Sequence, residues 1–361
     1  MQLVNLKSLN KPGIFHAVEQ WGLPRYRGTQ LIRWLYTKGA TSIEEITEFS
    51  KELRKFLSDV SYIGNLRLVR RAKSLDKTEK FLFALEDNQN IESVLIPEGN
   101  RLTLCISSQV GCAMGCLFCR TGRYGLERNL RSDEIVDQVV AVNRIVKPAH
   151  ISNIVFMGMG EPLANFDEVV DALWRIIEFL GISKRKITLS TAGIVPKILL
   201  LPRKAPDINI AISLNATTDE VRNQIMPVNR RYPISSLINA CRKYPLQPGR
   251  RITIEYVMID DKNDSREDAS RLVNLLSGMR SKVNLIPLNP YPGSALKKSP
   301  QDKISAFQEI LLRHRVRAFI RESRGQDIFA ACGQLRADNE IRGKQHEKRP
   351  RKLLASKSER Y

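Results

Sequence analysis

Between residues 153 and 320, short β-branched runs alternate with longer amphipathic segments, and this alternation restricts the possible folds more than any other feature of the chain. NIVFM (153–157), KITLS (186–190), NIAISLN (209–215), ITIEYVM (252–258), VNLIPL (283–288) and VRAFI (316–320) read as strands. SDEIVDQVVAVNRIV, FDEVVDALWRIIEFLG, SSLINACRKY, SREDASRLVNLLSG and QDKISAFQEILLRH have helical spacing, and Ser132 followed by Asp133 and Glu134 marks a helix start. Repeated βα units require parallel strands joined by right-handed crossovers. With LTLCIS as the first strand there are six or seven units, short of a closed eight-fold barrel. The expected fold is α/β, a partial (β/α)6 barrel over residues 98–335.

Upstream the pattern changes. Residues 65–97 alternate apolar and polar positions (NLRLVRRAKS, KFLFALED, NIESVLIPE) and read as a short β-meander leading into RLTLCISS. Residues 1–64 read as a small helical accessory domain, in which Ser42 and Glu45 form a capping-box pattern before a long helix. Residues 336–361 are polar, basic and aperiodic, and are expected to be disordered or to order only on RNA.

The net charge of +20, from 58 Lys+Arg against 38 Asp+Glu, is the footprint of a nucleic-acid binder. The last twenty residues hold eight basic and two acidic side chains; the rest is spread in pairs such as Arg70–Arg71, Arg230–Arg231 and Arg250–Arg251. Any one pair is ordinary solvated surface, but the sum is not. No run approaches the ~18–20 apolar residues of a membrane span, and the N-terminus lacks a signal-peptide pattern. A cytoplasmic, monomeric protein that does not enter membranes is expected.

Six cysteines in such a compartment are poor candidates for structural disulfides. Three of them, Cys112, Cys116 and Cys119 in GCAMGCLFCRTG, cluster directly after a strand, where a βα barrel places its chemistry. Three thiols are one ligand short of a closed zinc site. His16, His150, His314 and His346 are all distant and read as ordinary histidines. The alternative is a [4Fe–4S] cluster held on three irons with the fourth open. The CxxxCxxC spacing resembles that of radical S-adenosylmethionine (SAM) enzymes, in which the amino and carboxylate groups of SAM fill the open position. Gly160 and Glu161 in FMGMGEP, Ser190, the run Ser213, Leu214 and Asn215, and Asn289 all stand at or just past strand ends and suit contacts to SAM. Each also reads as plain turn chemistry.

Four motifs in order, CISSQVGCAMGCLFCRTG, FMGMGEPLANFDEV, VNLIPLNPYPG and RGQDIFAACGQL, resemble the 23S rRNA/tRNA adenine C2-methyltransferase (RlmN) family, from the first helices to residue 335. The sister Cfr family, which methylates C8 of the same rRNA adenine, shares much of this; IESVLIPEG and GMGEPLAN look like the C2 versions. The resemblance implies one [4Fe–4S] cluster, two SAM molecules per turnover and a methyl-cysteine intermediate. It implies that Cys332 carries the methyl group, that a radical converts it to a methylene that adds to adenine C2, and that Cys105 removes the C2 proton and then forms a transient disulfide with Cys332. Glu92 matches a position with an acid/base role. Implied partners are 23S rRNA, tRNA and an electron donor of flavodoxin or ferredoxin type. One departure is Asn215, where relatives are expected to have histidine. Without the resemblance, Cys105, Cys332 and Glu92 read as packed or alternating strand and loop residues, and Cys241 reads as packing under either view. A non-catalytic RNA-binding protein with a structural metal is the rival of a different kind. Protein purified without oxygen is expected to be brown and to bleach in air; a colourless absorption spectrum would instead indicate zinc.

Overall fold

The computed structural model describes residues 3–336. Apart from Arg336, the tail expected to be disordered lies outside the described residues. The N-terminal segment forms β1 (Val4–Asn5), α1 (Lys11–Gln20), α2 (Tyr26–Ile32) with a π-helical continuation over Arg33–Lys38, α3 (Lys51–Val60) and β2 (Ser61–Tyr62). Asn10 caps α1 by accepting from the Gly13 amide at 2.9 Å. The capping box expected at Ser42 does not start a long helix. Ile43–Glu45 is a single 3-10 turn, and Glu45 accepts from the Thr41 amide at 3.1 Å. The helix starts at Lys51, capped by Ser50. Ile43, Ile46 and Phe49 are all buried. A uniform spacing of three drifts about 60° per step around an α-helix, so the break lets all three face inward.

The main sheet has ten strands in the order β14-β13-β12-β11-β10-β9-β6-β5-β4-β3. β3 (Arg67–Lys73), β4 (Glu79–Ala84) and β5 (Asn90–Glu98) are the expected meander, and they extend the barrel sheet by antiparallel pairing onto β6 (Arg101–Cys105). An antiparallel pair, β7 (Gln109–Cys112) and β8 (Gly125–Asn129), interrupts the first crossover before α4 (Ser132–Val146). Then follow β9 (Asn153–Phe156), α5 (Phe166–Leu180), β10 (Ile187–Thr191), α6 (Val195–Lys204), β11 (Asn209–Ser213), α7 (Asp219–Ile225), α8 (Ile234–Lys243), β12 (Ile252–Met258), α9 (Arg266–Leu276), β13 (Ser281–Pro287), α10 (Gln301–Arg313) and β14 (Ala318–Ile320). β6 and β9–β14 run parallel. Six crossovers thus join seven parallel strands in an open barrel with edges at β14 and β3, which agrees with the expected partial (β/α)6 fold. The helical spacing did not reveal α6, whose two prolines break its pattern: Pro196 sits in the first turn, where no amide is needed, and Pro202 lies inside near the end. The short α7 also went unread.

The N-terminal segment shares one continuous apolar core with the barrel: Leu6, Leu31, Leu35 and Phe49 belong to the same cluster as Phe81, Ile135 and Leu189. Tyr36 packs on Phe179 of α5, ring centroids 4.7 Å apart, and Arg175 of α5 donates to the Lys7 carbonyl at 2.8 Å. The join is pinned by a buried ion pair, Lys7 Nζ to Asp137 Oδ1 of α4 at 2.6 Å, with both side chains under 5% exposed. The other Asp137 oxygen accepts from the Leu66 amide at 2.7 Å. Burial lowers the Lys7 pKa, opposed by Asp137. Among the described residues no helix is long and apolar enough to cross a membrane. Asp137→Asn leaves a buried ammonium without its counter-charge and is expected to cost about 3–5 kcal/mol in urea unfolding; adding Lys7→Met should recover part of that loss.

Candidate functional site

Cys112 ends β7, and Cys116 and Cys119 follow in the loop toward β8. Gly111 makes the ribbon possible. Its φ is +78°, and a Cβ there would lie 2.1 Å from the Gly125 carbonyl oxygen. The loop is anchored at both flanks: the Leu117 amide donates to Ile225 O at 3.0 Å, the Arg120 amide to Gly333 O at 2.6 Å, and Tyr291 Oη to Leu117 O at 2.9 Å. The three cysteines line one mostly apolar cavity at the carboxyl ends of the strands. No histidine lines it.

The donor set fits a cluster better than a single ion. Three thiols line the cavity and no histidine does, so a tetrahedral zinc would lack its fourth protein ligand, whereas a cluster bound through three of its irons needs only three. Burial pushes the Cys112 thiol up to about 12, and raises Cys116 and Cys119 as well, with neighbouring thiols adding to the effect at Cys112 and Cys116. Bare thiolates are therefore disfavoured here, and bound iron is what would stabilise them.

Of the residues expected to contact SAM, Gly160, Glu161, Ser190, Ser213, Asn215 and Asn289 line this cavity. Leu214 does not; its side chain lies in the core and its carbonyl accepts from Arg222 Nε at 2.9 Å. Several of the lining groups already serve the protein. The Glu161 carboxylate accepts from Thr191 Oγ1 (2.6 Å) and from the amides of Ala192 (2.6 Å) and Leu163 (3.0 Å), so it braces the end of β9 against β10. Burial still raises its pKa despite these donors. Gly160, at φ +99°, lets the loop close onto Gln109, which a Cβ would meet at 2.6 Å. Asn215 has φ +57°, a left-handed conformation that asparagine tolerates. Its amide accepts from Val257 N at 2.8 Å and donates to Met226 Sδ at 3.2 Å. Asn289 donates to the Cys332 carbonyl at 3.2 Å and accepts from Gln326 at 3.0 Å, holding the C-terminal loop.

Cys332 opens into the same cavity. It is solvent-accessible there but closely ringed by protein, and this desolvation, with the nearby Glu255 carboxylate, pushes its thiol up to about 11. Cys105, at the end of β6, is buried among Val94, Met159, Ala330 and Leu335. Its thiol is raised far above the usual range, first by burial and then by charge on Cys332. Both thiols are free. Glu92 sits on β5 two residues from Val94, which pairs with Cys105, so Glu92 and Cys105 share a sheet face. Its carboxylate takes Lys80 Nζ at 3.0 Å and the Arg336 amide at 2.8 Å, and it borders a neighbouring cavity rather than the cysteine one. Cys241 packs in the core.

Two contributors escaped sequence reading. Arg222 of α7 is fully buried and donates to the carbonyls of Ala192 (2.8 Å), Ser213 (3.0 Å) and Leu214 (2.9 Å), joining the ends of β10 and β11. Burial lowers its pKa to about 10, opposed chiefly by Cys116, beside which it places a positive charge. Glu255 of β12 lines the cavity, accepts from Asn284 at 3.0 Å, and has its pKa raised by burial. One arginine in a helical run and one glutamate in a strand carry no local signal.

The radical SAM superfamily pattern matches residues 106–273, and the pattern of the ribosomal RNA large subunit methyltransferase N-terminal domain matches residues 4–63. The chain is 48% identical over 334 residues to the dual-specificity RNA methyltransferase RlmN of Pelobacter propionicus, covering 92% of this chain and 95% of that protein. Identity to the RlmN of Geobacter sulfurreducens is 49% over 336 residues, 92% of each chain. The fold is similar to the crystal structure of a radical SAM methyltransferase from Sphaerobacter thermophilus, with a TM-score of 0.89, 42% identity, and coverage of 93% of this chain and 100% of that one.

Serine at any of Cys112, Cys116 or Cys119 is expected to remove nearly all bound iron after anaerobic reconstitution while leaving far-ultraviolet circular dichroism unchanged. Cys241→Ser should keep its iron.

Proposed function

The chain belongs to the RlmN family of dual-specificity RNA methyltransferases within the radical SAM superfamily, and from that premise we propose that it methylates C2 of an adenine in 23S rRNA and of the adenine next to the anticodon in tRNA. The observation that carries this reading is a further pair of free thiols: Cys332 of the C-terminal loop lines the three-cysteine cavity, and Cys105 at the end of β6 is buried near enough for charge on Cys332 to raise its thiol. A radical SAM site needs only the three cluster cysteines. One more thiol in the cavity and another buried close to it suit a methyl group carried on the protein and then released from it.

Cys112, Cys116 and Cys119 would hold the cluster, which together with SAM would supply both a transferable methyl group and a hydrogen-abstracting radical. Cys332 accepts the methyl group by displacement: its sulfur, having lost its proton, gains the carbon as the sulfonium–methyl bond breaks and S-adenosylhomocysteine leaves. Its place on an accessible loop facing the cavity lets it present the activated carbon to the RNA base. Asn289 and Gly333 hold that loop, the first through the Cys332 carbonyl and the second through its contact with Arg120. Cys105 takes the C2 proton while the radical adduct gives up one electron, which the cluster would take. The Cys105 thiolate then attacks the Cys332 sulfur: the S–S bond forms as the S–CH2 bond breaks, and the electron pair left on the methylene carbon takes a proton to complete the methyl group and free the base. Glu92, on the same sheet face as Cys105, is the third member of this set and its acid/base group; Lys80 holds its carboxylate in place.

The adenine must be unstacked to reach this depth, so loops and unfolded rRNA are the expected substrates. An electron donor of flavodoxin or ferredoxin type would reduce the cluster and a thiol reductant would reset the Cys105–Cys332 disulfide. A monomer acting in the cytoplasm fits these needs.

Methylation of rRNA fragments deuterated at adenine C2 or C8 tests the reading, with nucleosides analysed by mass. Loss of label from C2 is expected, and loss from C8 would move the chain to Cfr-type chemistry. Cys105→Ala is expected to stall after carbon–carbon bond formation and accumulate a covalent protein–RNA adduct, visible as a gel shift resistant to denaturant; Cys332→Ala should form neither adduct nor product.

A further inference from the structure

Among the described residues, Arg222 is the largest side chain that is fully buried. Its four hydrogen bonds all go to neutral acceptors. Nε donates to Leu214 O, one terminal nitrogen to Asn229 Oδ1 at 2.9 Å, and the other to Ala192 O and Ser213 O. The acid at the start of its own helix, Asp219, is kept one side chain away: Asn229 accepts from Arg222 and donates to Asp219 Oδ1 at 2.9 Å. Glu161 is engaged on the other side of Ala192, whose amide it accepts. Neutral dipoles solvate a buried guanidinium but do not cancel its charge, and an uncancelled charge is costly to bury. Tying strand ends together needs donors only, and an uncharged amide side chain supplies those.

The fold sets this charge directly under the cysteine loop. α7 ends at Ile225, whose carbonyl takes the Leu117 amide at 3.0 Å, and the Met226 amide closes the same turn onto the Arg222 carbonyl at 2.7 Å. Cys116 packs with Ala192, Ile225 and Met226 in one small apolar cluster. Of the ionisable groups around Arg222, Cys116 feels its charge most strongly, ahead of Asp219 and Cys241. A [4Fe–4S] core held by three thiolates has a net negative charge, and reduction adds one more electron to it. A fixed positive charge in a poorly solvated place therefore favours the reduced form over the oxidised one.

We propose that Arg222 is the built-in counter-charge of the cluster site: its buried positive charge beside Cys116 raises the reduction potential of the bound cluster and brings its reduction within reach of the donor. This rests on the reading that Cys112, Cys116 and Cys119 hold a [4Fe–4S] cluster. One electron leaves a flavodoxin- or ferredoxin-type donor, which is oxidised, and reduces the cluster; no bond or proton moves. Arg222 acts through its field and touches neither RNA nor the reacting carbon. Arginine suits the task because its guanidinium keeps its proton where a buried lysine gives it up more readily.

The test is a potential titration of anaerobically reconstituted protein, without RNA or SAM, followed by electron paramagnetic resonance. Arg222→Gln is expected to move the one-electron equilibrium about tenfold toward the oxidised form, a potential about 59 mV lower. Arg222→Lys keeps the charge with fewer hydrogen bonds and should stay within about twofold of the wild-type equilibrium. Arg313→Gln removes an exposed charge on α10 and should change nothing. A wild-type potential in Arg222→Gln, an equal shift in Arg222→Lys, or the same shift in Arg313→Gln would overturn the proposal. If Arg222→Gln holds no cluster, Asp219→Asn carries the test. It removes the acid that offsets Arg222 and keeps an acceptor for Asn229 and the Ile234 amide; its potential should rise, and an unchanged or lower one overturns the proposal. If wild-type protein takes up no iron, the cluster reading itself fails and the proposal falls with it.

Discussion

Parallel strands run out of backbone partners at their carboxyl ends, and in this protein the site exists because buried side chains take over where the sheet stops. Glu161 holds the end of β10 through the Thr191 hydroxyl and the Ala192 amide. Arg222 collects three carbonyls from the ends of β10 and β11. Gln138 of α4 both accepts from the Ser107 amide at 2.8 Å and donates to its carbonyl at 2.9 Å just past β6. Asn165 donates to Ser108 O and Leu130 O at 2.8 and 2.7 Å, closing the ribbon beside the cysteines. An unpaired buried polar group costs about 1–3 kcal/mol, so these side chains do more than line a cavity. They make it possible for the chain to leave the sheet in a fixed direction and hold three thiols and a C-terminal loop around one space.

The same economy explains why residues expected to meet the cofactor turn out to be engaged by the protein. Asn215, Asn289 and Glu161 line the cavity, but each has its polar atoms committed to neighbouring backbone or side chains. They act on a ligand by fixing the walls. Cys332 differs from them: among the candidate residues it is the exposed one, and it is carried by a loop held by the cysteine loop, by Asn289 and by Lys80 and Glu92 of the sheet extension. The chain thus keeps one accessible thiol, Cys332, and one buried thiol, Cys105.

Much of this was legible beforehand, for identifiable reasons. Alternating strand and helix periodicity found all seven parallel strands, because buried parallel strands are short and β-branched. α4 was read to the residue and α5 to within one, since acidic first turns and apolar stripes announce them. The β7–β8 ribbon was missed because its pairing depends on Gly111 allowing a close backbone approach and not on any hydrophobic alternation. The helix start at Ser50 was misread as Ser42 because both serines precede acidic residues, and only burial of Ile46 and Phe49 decides between them.

Local chemistry in the chain was enough to point to a βα fold, a cluster of three thiols and a cationic protein suited to RNA, because periodicity, cysteine spacing and net charge are properties of neighbouring or summed residues. Which groups face one another was decided only in three dimensions. The strand register put Arg70, Lys80, Glu92 and Cys105 on one face, and α7 carried Arg222 under two strand ends. Loop docking brought Cys332 some 200 residues along the chain to the cysteine loop. Contacts between residues so far apart depend on how the sheet twists and how its ends are satisfied, and no short stretch of sequence contains that information.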